Sequence, residues 1–318
     1  MHNETSNLFS YATKELSQDA FLRWLFENWN SSEKDIRTAS RYVLCNLFGY
    51  SIDFDKVKEV ETRAQEKGID ILVFVRMDNV EMVLLIEDKT YSGTHDGQLA
   101  RYKAYVEKIY NDIQSKFVYY KTSLVSEDER KHVVDQGYDV YDVSLIANLF
   151  DGISIEINNS ILSNYIEYIS KVNLELNGRL PDNIYEWNIN HWCNFGANHN
   201  IDVPNKLDFG FGNYRNQYIY LVFNIKGKWH EHPYAEIRSR DLNDNDFRLR
   251  ILLYDTKKDY LEKYLHEWKE MISNSDLFIN QNFKQQIASN NGKEEVYTKE
   301  DLEQLIKKYM DEYLRLML

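Results

Sequence analysis

Two apolar, β-rich runs lie next to each other in the first third of the chain. Residues 69–76 (IDILVFVR) and 80–86 (VEMVLLI) are separated by an Asp-Asn pair at 78–79, which is typical of a tight turn between antiparallel strands. The second run continues directly into Glu-Asp-Lys at 87–89. Because strands this apolar are buried, charged residues at the end of one of them need an explanation.

The segments around these runs predict the rest of a layered α/β domain. An apolar stripe after Ser17 predicts a first helix capped by that residue, and residues 56–63 (KVKEVETR) alternate as a strand does. Helical spacing returns at 98–109 and is followed by a strand at 116–122. The predicted order is helix, three strands, helix, strand. It gives a mixed sheet flanked by helices, in which the strand that ends at 87–89 is central.

A change of character near residue 178 divides the chain. The segment GRLPD at 178–182 carries a glycine and a proline that interrupt helices, directly after a predicted helix at 161–176. We therefore predict two domains, residues 1–178 and residues 179–318. The second is predicted to be an α+β domain with strands at 213–225, 229–240 and 247–254 and with helices near 257–272 and 299–316.

Charge and cysteine content restrict the class of protein. The formal net charge of −13 argues against coating of nucleic acid by bulk positive charge, but it leaves a local basic groove open. Cys45 and Cys193 lack a C-x-x-C spacing, so we expect neither a zinc ribbon nor a disulfide framework, and a reducing cytoplasm as the location. The sequence shows neither a signal-peptide pattern nor a long apolar window, so we expect no membrane partner.

The charged residues at the strand end are predicted to converge. Alternation along a strand puts Glu87 and Lys89 on one face and turns Asp88 to the other. Asp70 opens the preceding strand, and antiparallel pairing brings it beside Glu87. Two carboxylates this close repel, which raises a pKa or attracts a divalent cation such as Mg²⁺. A lysine beside that cation is able to orient or deprotonate a water nucleophile, which is phosphodiester-hydrolysis chemistry.

The pattern of Asp70 on one strand and Glu-Asp-Lys at 87–89 on the next resembles the signature of the PD-(D/E)XK nuclease superfamily. The chain departs from that signature at Ile69, where the family motif has proline. The resemblance covers about residues 10–145. It implies a restriction-endonuclease-like core with the element order αβββαβ, and a divalent metal, Mg²⁺ or Mn²⁺, as the cofactor.

Two further motifs extend the resemblance. Residues 98–102 (QLARY) look like the Gln-x-x-x-Tyr motif of the RecB-like branch, with Gln98 and Tyr102 on one helix face. The resemblance implies that these two side chains support the position of the nucleotide or the metal. Around Glu15, the stretch KELSQDAFLRWL is similar to the N-terminal signature of uncharacterised bacterial members, in which a glutamate equivalent to Glu15 approaches the metal.

The resemblance also assigns roles at the strand ends. Asp70 and Glu87, with the main-chain carbonyl of Asp88, are expected to be metal ligands, and Lys89 is expected to act on the attacking water. Taken one at a time, these residues are equally explained as a turn residue and a solvated ion pair at a strand end. Their joint spacing and strand order favour a site.

Several arginines are candidates for contact with phosphates. They are Arg101 on the predicted helix, and Arg238, Arg240, Arg248 and Arg250 on two strands that flank the acidic turn DLNDND. A hairpin would gather the last four on one sheet face. Cross-strand pairs with Glu236 or nearby Asp residues are an equally natural interpretation of these four, whereas Arg101 is better explained as an ordinary exposed charge.

The sequence therefore predicts a metal-dependent nuclease that acts on nucleic acid in bacterial defence or DNA processing, with DNA as the first candidate substrate and RNA left open. The alternative is a catalytically inactive nuclease-fold module that binds nucleic acid or a partner protein. For the second domain we expect substrate or partner binding, including a homodimer. Nucleotide hydrolysis is disfavoured because the G-x-x-x-x-G-K-[ST] loop is missing.

Overall fold

The computed structural model divides into two compact units, residues 1–178 and residues 179–318. It describes residues 7–11, 15–78, 80–94, 97–214, 218–226, 234–239, 246–252, 278–279, 286–289 and 294–317. Within that part of the chain, none of the helices is long and apolar enough to cross a membrane.

The first unit is built from helices that pack on a single sheet. Its elements are α1 (Glu15–Glu27), α2 (Lys34–Phe48), β1 (Val57–Glu66), β2 (Ile69–Met77), β3 (Glu81–Lys89), α3 (Gln98–Ile109), β4 (Gln114–Lys121), α4 (Glu127–Asp135), β5 (Asp139–Tyr141), α5 (Val143–Asp151) and α6 (Ser160–Asn177).

The sheet of the first unit is mixed and has the strand order β1-β2-β3-β4-β5. β1, β2 and β3 are antiparallel neighbours, whereas β4 joins β3 in parallel and β5 joins β4 in parallel. β3 is therefore central, as the sequence predicts, and helix α3 forms the crossover between the two parallel strands. The predicted α/β class and the order αβββαβ are confirmed.

Alternation along the strands separates two apolar layers. On β3, Leu84 and Ile86 point into a core formed with α1, α2, α5 and α6, while Val83 and Leu85 point into a smaller core formed with α3. All four side chains are fully buried. The sheet is covered on both faces, so polar groups at its strand ends are held within a dry frame.

The ends of the elements differ in detail from the sequence predictions. Helix α1 begins at Glu15 rather than after Ser17, so Ser17 lies within the first turn and does not precede the helix. The cap prediction at Ser17 is therefore wrong. The earlier start places Glu15 on the helix itself, one turn before Asp19.

The second unit combines helices with a sheet whose described strand pairs are all antiparallel. Its elements are α7 (Ile189–Asn198), β6 (Leu207–Tyr214), β7 (Tyr218–Ile225), β8 (Tyr234–Ser239), β9 (Asp246–Leu252), β10 (Phe278–Ile279), β11 (Gln286–Ser289), β12 (Glu294–Glu295) and α8 (Lys299–Met317). The described strands follow the order β10-β11-β9-β8-β7-β6, and β12 also pairs with β9.

One sequence prediction for this unit is wrong, and others fall on residues that the structure does not describe. The single strand predicted at 213–225 is wrong, because β6 and β7 form a hairpin there, with Tyr214 paired with Tyr218. The predicted helix near 257–272 lies outside the described residues, as do residues 229–233 and Arg240. The apolar stripe of α8, including Leu302, Ile306 and Tyr313, is buried in the unit's own core, which favours packing over dimerisation for that face.

The turn between β1 and β2 is a strained segment that leads to the start of β2. Gln65, Lys67 and Gly68 all have positive φ angles, of 57°, 56° and 85°. A Cβ added at Gly68 would lie 3.0 Å from the hydroxyl oxygen of Tyr102. Glycine therefore satisfies both the backbone and the space beside α3.

We expect Gly68→Ala to destabilise the first unit by roughly 1–2 kcal/mol, because alanine is unfavourable in the left-handed region. Urea unfolding measures the change. Gly93→Ala is the matched control, since Gly93 has an ordinary φ and the nearest atom to an added Cβ is 3.9 Å away. Equal stabilities for the two variants would contradict this account of the turn.

Candidate active site

The pairing of β2 with β3 brings the start of one strand to the end of the other. Ile71 pairs with Ile86, so the next residues outward, Asp70 and Glu87, face each other on the same side of the sheet. The main-chain N–H of Asp88 donates to Oδ2 of Asp70 at 2.9 Å. The side chain of Gln65 donates to Oδ1 of the same carboxylate at 3.3 Å. Asp70 is thus oriented by the strand that carries its partner.

Lys89 lies between the two carboxylates. Its Nζ is 2.5 Å from Oε1 of Glu87 and 3.9 Å from Oδ2 of Asp70. The Glu87 side chain is fully buried, while those of Lys89 and Asp70 are 8% and 18% exposed. The three residues that the sequence predicts to converge do share one small, nearly dry space.

Glu15 reaches the same end of the sheet from helix α1. Its Oε1 accepts hydrogen bonds from the main-chain N–H of Thr90 at 3.2 Å and from the hydroxyl of Ser92 at 3.0 Å. These two residues begin the loop that follows Lys89. Glu15 is therefore tied to the exit of β3, and its negative charge acts on both Asp70 and Lys89.

Burial controls the protonation of this group. Burial first, and then the negative charge of Asp70, raise the pKa of Glu87 to about 7. Burial also raises the pKa of Asp70, against the N–H of Asp88 and the charge of Lys89. Burial opposes the charge on Lys89, yet Glu87 and Asp70 together raise its pKa, so the lysine is an ammonium here.

The carboxylates present a chemistry that suits a hard divalent cation. Oε2 of Glu87 is buried without a hydrogen-bond donor among the described residues, and the Glu87 carboxyl group interacts with that of Asp70. Two such oxygens are satisfied only by a shared proton or by a cation. Among the described residues, no three His, Cys, Asp or Glu side chains are arranged around one point as a complete ligand set. Asp70 and Glu87 fit as a pair of ligands, with the Lys89 ammonium beside them.

The Gln98–Tyr102 pair lies on the face of the sheet that carries Glu87. Nε2 of Gln98 is 3.2 Å from the hydroxyl of Tyr102, and the Tyr102 ring is buried in the smaller core. The hydroxyl also lies next to Gly68, two residues before Asp70. Arg101 is exposed and stacks on the Tyr102 ring, with its guanidinium carbon 5.0 Å from the ring centroid. Contact of these residues with metal or nucleotide stays a prediction.

Sequence reasoning missed two buried polar residues on α1. Gln18 and Asp19 are 5% and 4% exposed, and both face Asp88, whose side chain is fully buried on the opposite side of β3 from Glu87. Gln18 donates to Oδ1 of Asp88. Burial and the charge of Asp70 raise the pKa of Asp19 to about 7, and burial and the charge of Asp19 raise that of Asp88 well above its usual range.

Sequence reasoning also missed a second buried lysine beside the site. Lys121 pairs in register with Lys89 across the parallel strands, so both side chains lie on one sheet face. Its Nζ binds both carboxylate oxygens of Glu129, at 2.8 and 2.9 Å, and the hydroxyl of Tyr119 donates to the same carboxylate at 2.7 Å. The charge of this lysine is therefore compensated locally.

In the second unit, the register of β8 with β9 gives the positions of three of the predicted arginines. Arg238 on β8 pairs with Arg248 on β9, and Arg250 pairs with Glu236. These four positions share one sheet face, which leaves phosphate contact and cross-strand ion pairing both open.

Comparisons with known proteins agree with this chemistry at the level of the family. A family model described as the PD-(D/E)XK nuclease superfamily matches residues 6–193, more than half of the chain. No curated protein has a matching sequence. Similar solved structures include the MspJI restriction endonuclease in complex with a 27-mer oligonucleotide and the DNA modification-dependent restriction endonuclease AspBHI, each 14% identical with a TM-score of 0.27. The matches cover 55% and 53% of this chain, but only 38% and 44% of those two.

The raised carboxyl pKa values predict an unusual dependence of stability on pH. The folded state binds the Glu87 proton more tightly than the unfolded state, so the free energy of unfolding falls as pH rises from the ordinary glutamate pKa of 4.5 to about 7. Asp19 and Asp70 act in the same direction. Urea unfolding at about pH 5 and about pH 8 measures the loss, which we expect to be smaller in Glu87→Gln. A larger unfolding free energy at the higher pH would contradict this picture.

Proposed function

The chain belongs to the PD-(D/E)XK nuclease superfamily, and from that premise we propose that it is a metal-dependent nuclease that hydrolyses phosphodiester bonds in DNA. One observation carries the proposal: Asp70, Glu87 and Lys89 converge where two paired strands meet, with one fully buried carboxylate, one partly buried carboxylate and one ammonium in a single space. The alternative, an inactive nuclease-fold module that binds nucleic acid or a partner protein, predicts the same fold without turnover.

In this proposal each residue of the site has a defined task. Asp70 and Glu87 hold a divalent cation, Mg²⁺ or Mn²⁺, together with the main-chain carbonyl of Asp88. When bound, the cation supplies Lewis-acid stabilisation of the charge that develops on the phosphate. Lys89 donates hydrogen bonds to the attacking water and orients it. Its raised pKa favours the ammonium form, which supports a positioning and charge-stabilising task over proton abstraction.

The surrounding residues act on orientation in this proposal. Glu15 is a further ligand or water acceptor from α1, since its carboxylate already lies beside the loop after Lys89. Gln98 and Tyr102 support the nucleotide or the cation from α3. The guanidinium of the exposed Arg101 stacks on the Tyr102 ring, and its N–H groups suit contact with a phosphate of the bound strand.

We also propose a division of labour along the chain. Residues 1–178 carry the chemistry, and residues 179–318 bind substrate or a partner, which includes a second copy of the chain. The paired positions of Arg238 and Arg248 support phosphate binding in the second unit. Action in a bacterial cytoplasm, in defence or DNA processing, completes the proposal, and the lack of a C-x-x-C spacing between Cys45 and Cys193 suits a reducing compartment.

Cleavage of labelled nucleic acid tests the function. We expect the wild-type chain to cleave single- or double-stranded DNA in the presence of Mg²⁺ or Mn²⁺. Asp70→Ala and Lys89→Ala should each lower the rate at least about 100-fold, the usual scale for loss of a positioned catalytic group. Asp53→Ala and Lys56→Ala are matched controls, because these residues form an exposed surface ion pair. An RNA substrate in parallel identifies the nucleic acid class, and unchanged rates in both site variants would refute the assignment.

Calorimetry distinguishes a functional metal site from the inactive nuclease-fold module. We expect titration of Mg²⁺ or Mn²⁺ into the protein to show binding that Glu87→Gln abolishes, because the amide removes one of the two facing carboxylates. Binding should release protons, since Glu87 shares its site with a proton near neutral pH. Wild-type protein that binds nucleic acid without cation binding or cleavage would favour the inactive module.

A further inference from the structure

Asp88 presents an unusual burial problem. Its side chain is fully buried and points toward the larger apolar core, next to the hydroxyl-bearing pair Tyr120 and Tyr165. A carboxyl group in such a place is costly unless hydrogen bonds compensate it. An apolar residue would fill that position on β3 without this cost. The polar residue therefore needs a role beyond packing.

The contacts of Asp88 connect helix α1 to the active-site strand. On its side-chain end, Oδ1 accepts a hydrogen bond from the buried amide of Gln18. On its main-chain end, the N–H donates to Oδ2 of Asp70 at 2.9 Å. One residue thus links Gln18 on the helix to the Asp70 carboxylate through a continuous path of two hydrogen bonds.

Helix α1 holds the strand end from a second point. Three residues before Gln18, the Glu15 carboxylate accepts from Thr90 and Ser92, just after Lys89. One contact is made at the middle residue of the Glu-Asp-Lys tripeptide at 87–89, and the other just after it. A strand end held at these two points has little freedom to slide or twist.

Packing alone does not need these polar contacts. Helix α1 already buries Phe21, Leu22, Leu25 and Phe26 in the larger core. Those side chains hold the helix against the sheet but leave its exact register along the strand adjustable, because apolar contacts are not directional. A buried hydrogen bond has a defined direction and length, so it specifies the register.

We propose that Gln18 is a positioning residue of the nuclease site, which acts through Asp88 to fix the Asp70 carboxylate and the end of β3 in the geometry that binds the cation. This inference rests on the proposed function. Gln18 touches neither the cation nor the substrate. Outer groups that orient metal ligands typically change metal affinity 10–100-fold when they are removed.

The experiment compares single and double apolar replacements. Gln18→Leu leaves the buried Asp88 carboxyl without its donor, so we expect lower stability and a roughly 10–100-fold weaker cation affinity by calorimetry. Adding Asp88→Leu removes both partners of the hydrogen bond. Stability should then recover only in part, because the buried Asp19 also loses Asp88 as a hydrogen-bond partner, while cation affinity and kcat stay low and KM for the nucleic acid changes little.

Two further variants sharpen the test. Gln18→Met keeps the length of the side chain but has no amide donor for Asp88, so its cation affinity should fall as far as that of Gln18→Leu. Thr62→Val is the control for the loss of hydrogen bonds between helix α1 and the sheet. Thr62 on β1 is hydrogen-bonded to Arg23 and Glu27, at the other end of the same helix. It should lower stability without changing cation affinity.

Each outcome decides whether Gln18 positions the metal site or only stabilises the fold. If the double variant recovers cation affinity together with stability, Gln18 is only structural and the inference is overturned while the nuclease proposal stands. If Gln18→Met keeps the wild-type cation affinity, the length of the side chain matters rather than its hydrogen bond to Asp88, and the positioning role is likewise overturned. If the wild-type protein neither binds the cation nor cleaves nucleic acid, the proposed function fails and this inference falls with it.

Discussion

The antiparallel pairing of β2 with β3 is the constraint on which the rest of the site depends. Because Ile71 pairs with Ile86, Asp70 and Glu87 are forced to face each other where the two strands end. The apolar residues before them are fully buried, so a slip of the register would expose an apolar face and is strongly opposed. The repulsion between the two acids is therefore imposed by the hydrophobic core, and the acids cannot separate to relieve it.

The forced proximity of Asp70 and Glu87 explains why hydrogen-bond donors and a positive charge surround them. The main-chain N–H of Asp88, the ammonium of Lys89 and the hydrogen-bond donors near Glu15 all lie where negative charge has to be compensated. Even so, burial keeps the pKa of Glu87 near 7. The site is thus destabilising for the metal-free fold and favourable for a cation. This is the balance expected of a functional site held within a rigid frame.

Much of this arrangement follows from the sequence, because period-two alternation and element order determine which residues share a sheet edge. Alternation predicts the meeting of Asp70, Glu87 and Lys89, and helical spacing predicts the Gln98–Tyr102 pair; the structure places them accordingly. Gln18 and Asp19 were missed although helical spacing carries the signal. Gln18 lies four residues before Leu22 and Asp19 seven before Phe26, so both fall on the buried face.

Other features depend on contacts between distant residues, which periodicity cannot show. The pairing of Lys121 with Glu129 follows from the parallel alignment of β4 with β3, a tertiary property. The β6–β7 hairpin resembles one strand in the sequence because no glycine or proline stands between residues 213 and 218. In both cases the local sequence agrees with more than one arrangement, and long-range packing decides.

The ion pair of Lys121 with Glu129 has an electrostatic consequence for the order in which a cation and a nucleic acid would bind. Since both oxygens of Glu129 engage that ammonium, it lends no positive potential to the neighbouring acids, and Lys89 alone faces Glu15, Asp70 and Glu87 within the described cluster. Under the proposed function, a polyanionic strand that approached this surplus of negative charge would be repelled until a small cation had bound. The electrostatics of the site would therefore favour binding of the metal before the nucleic acid.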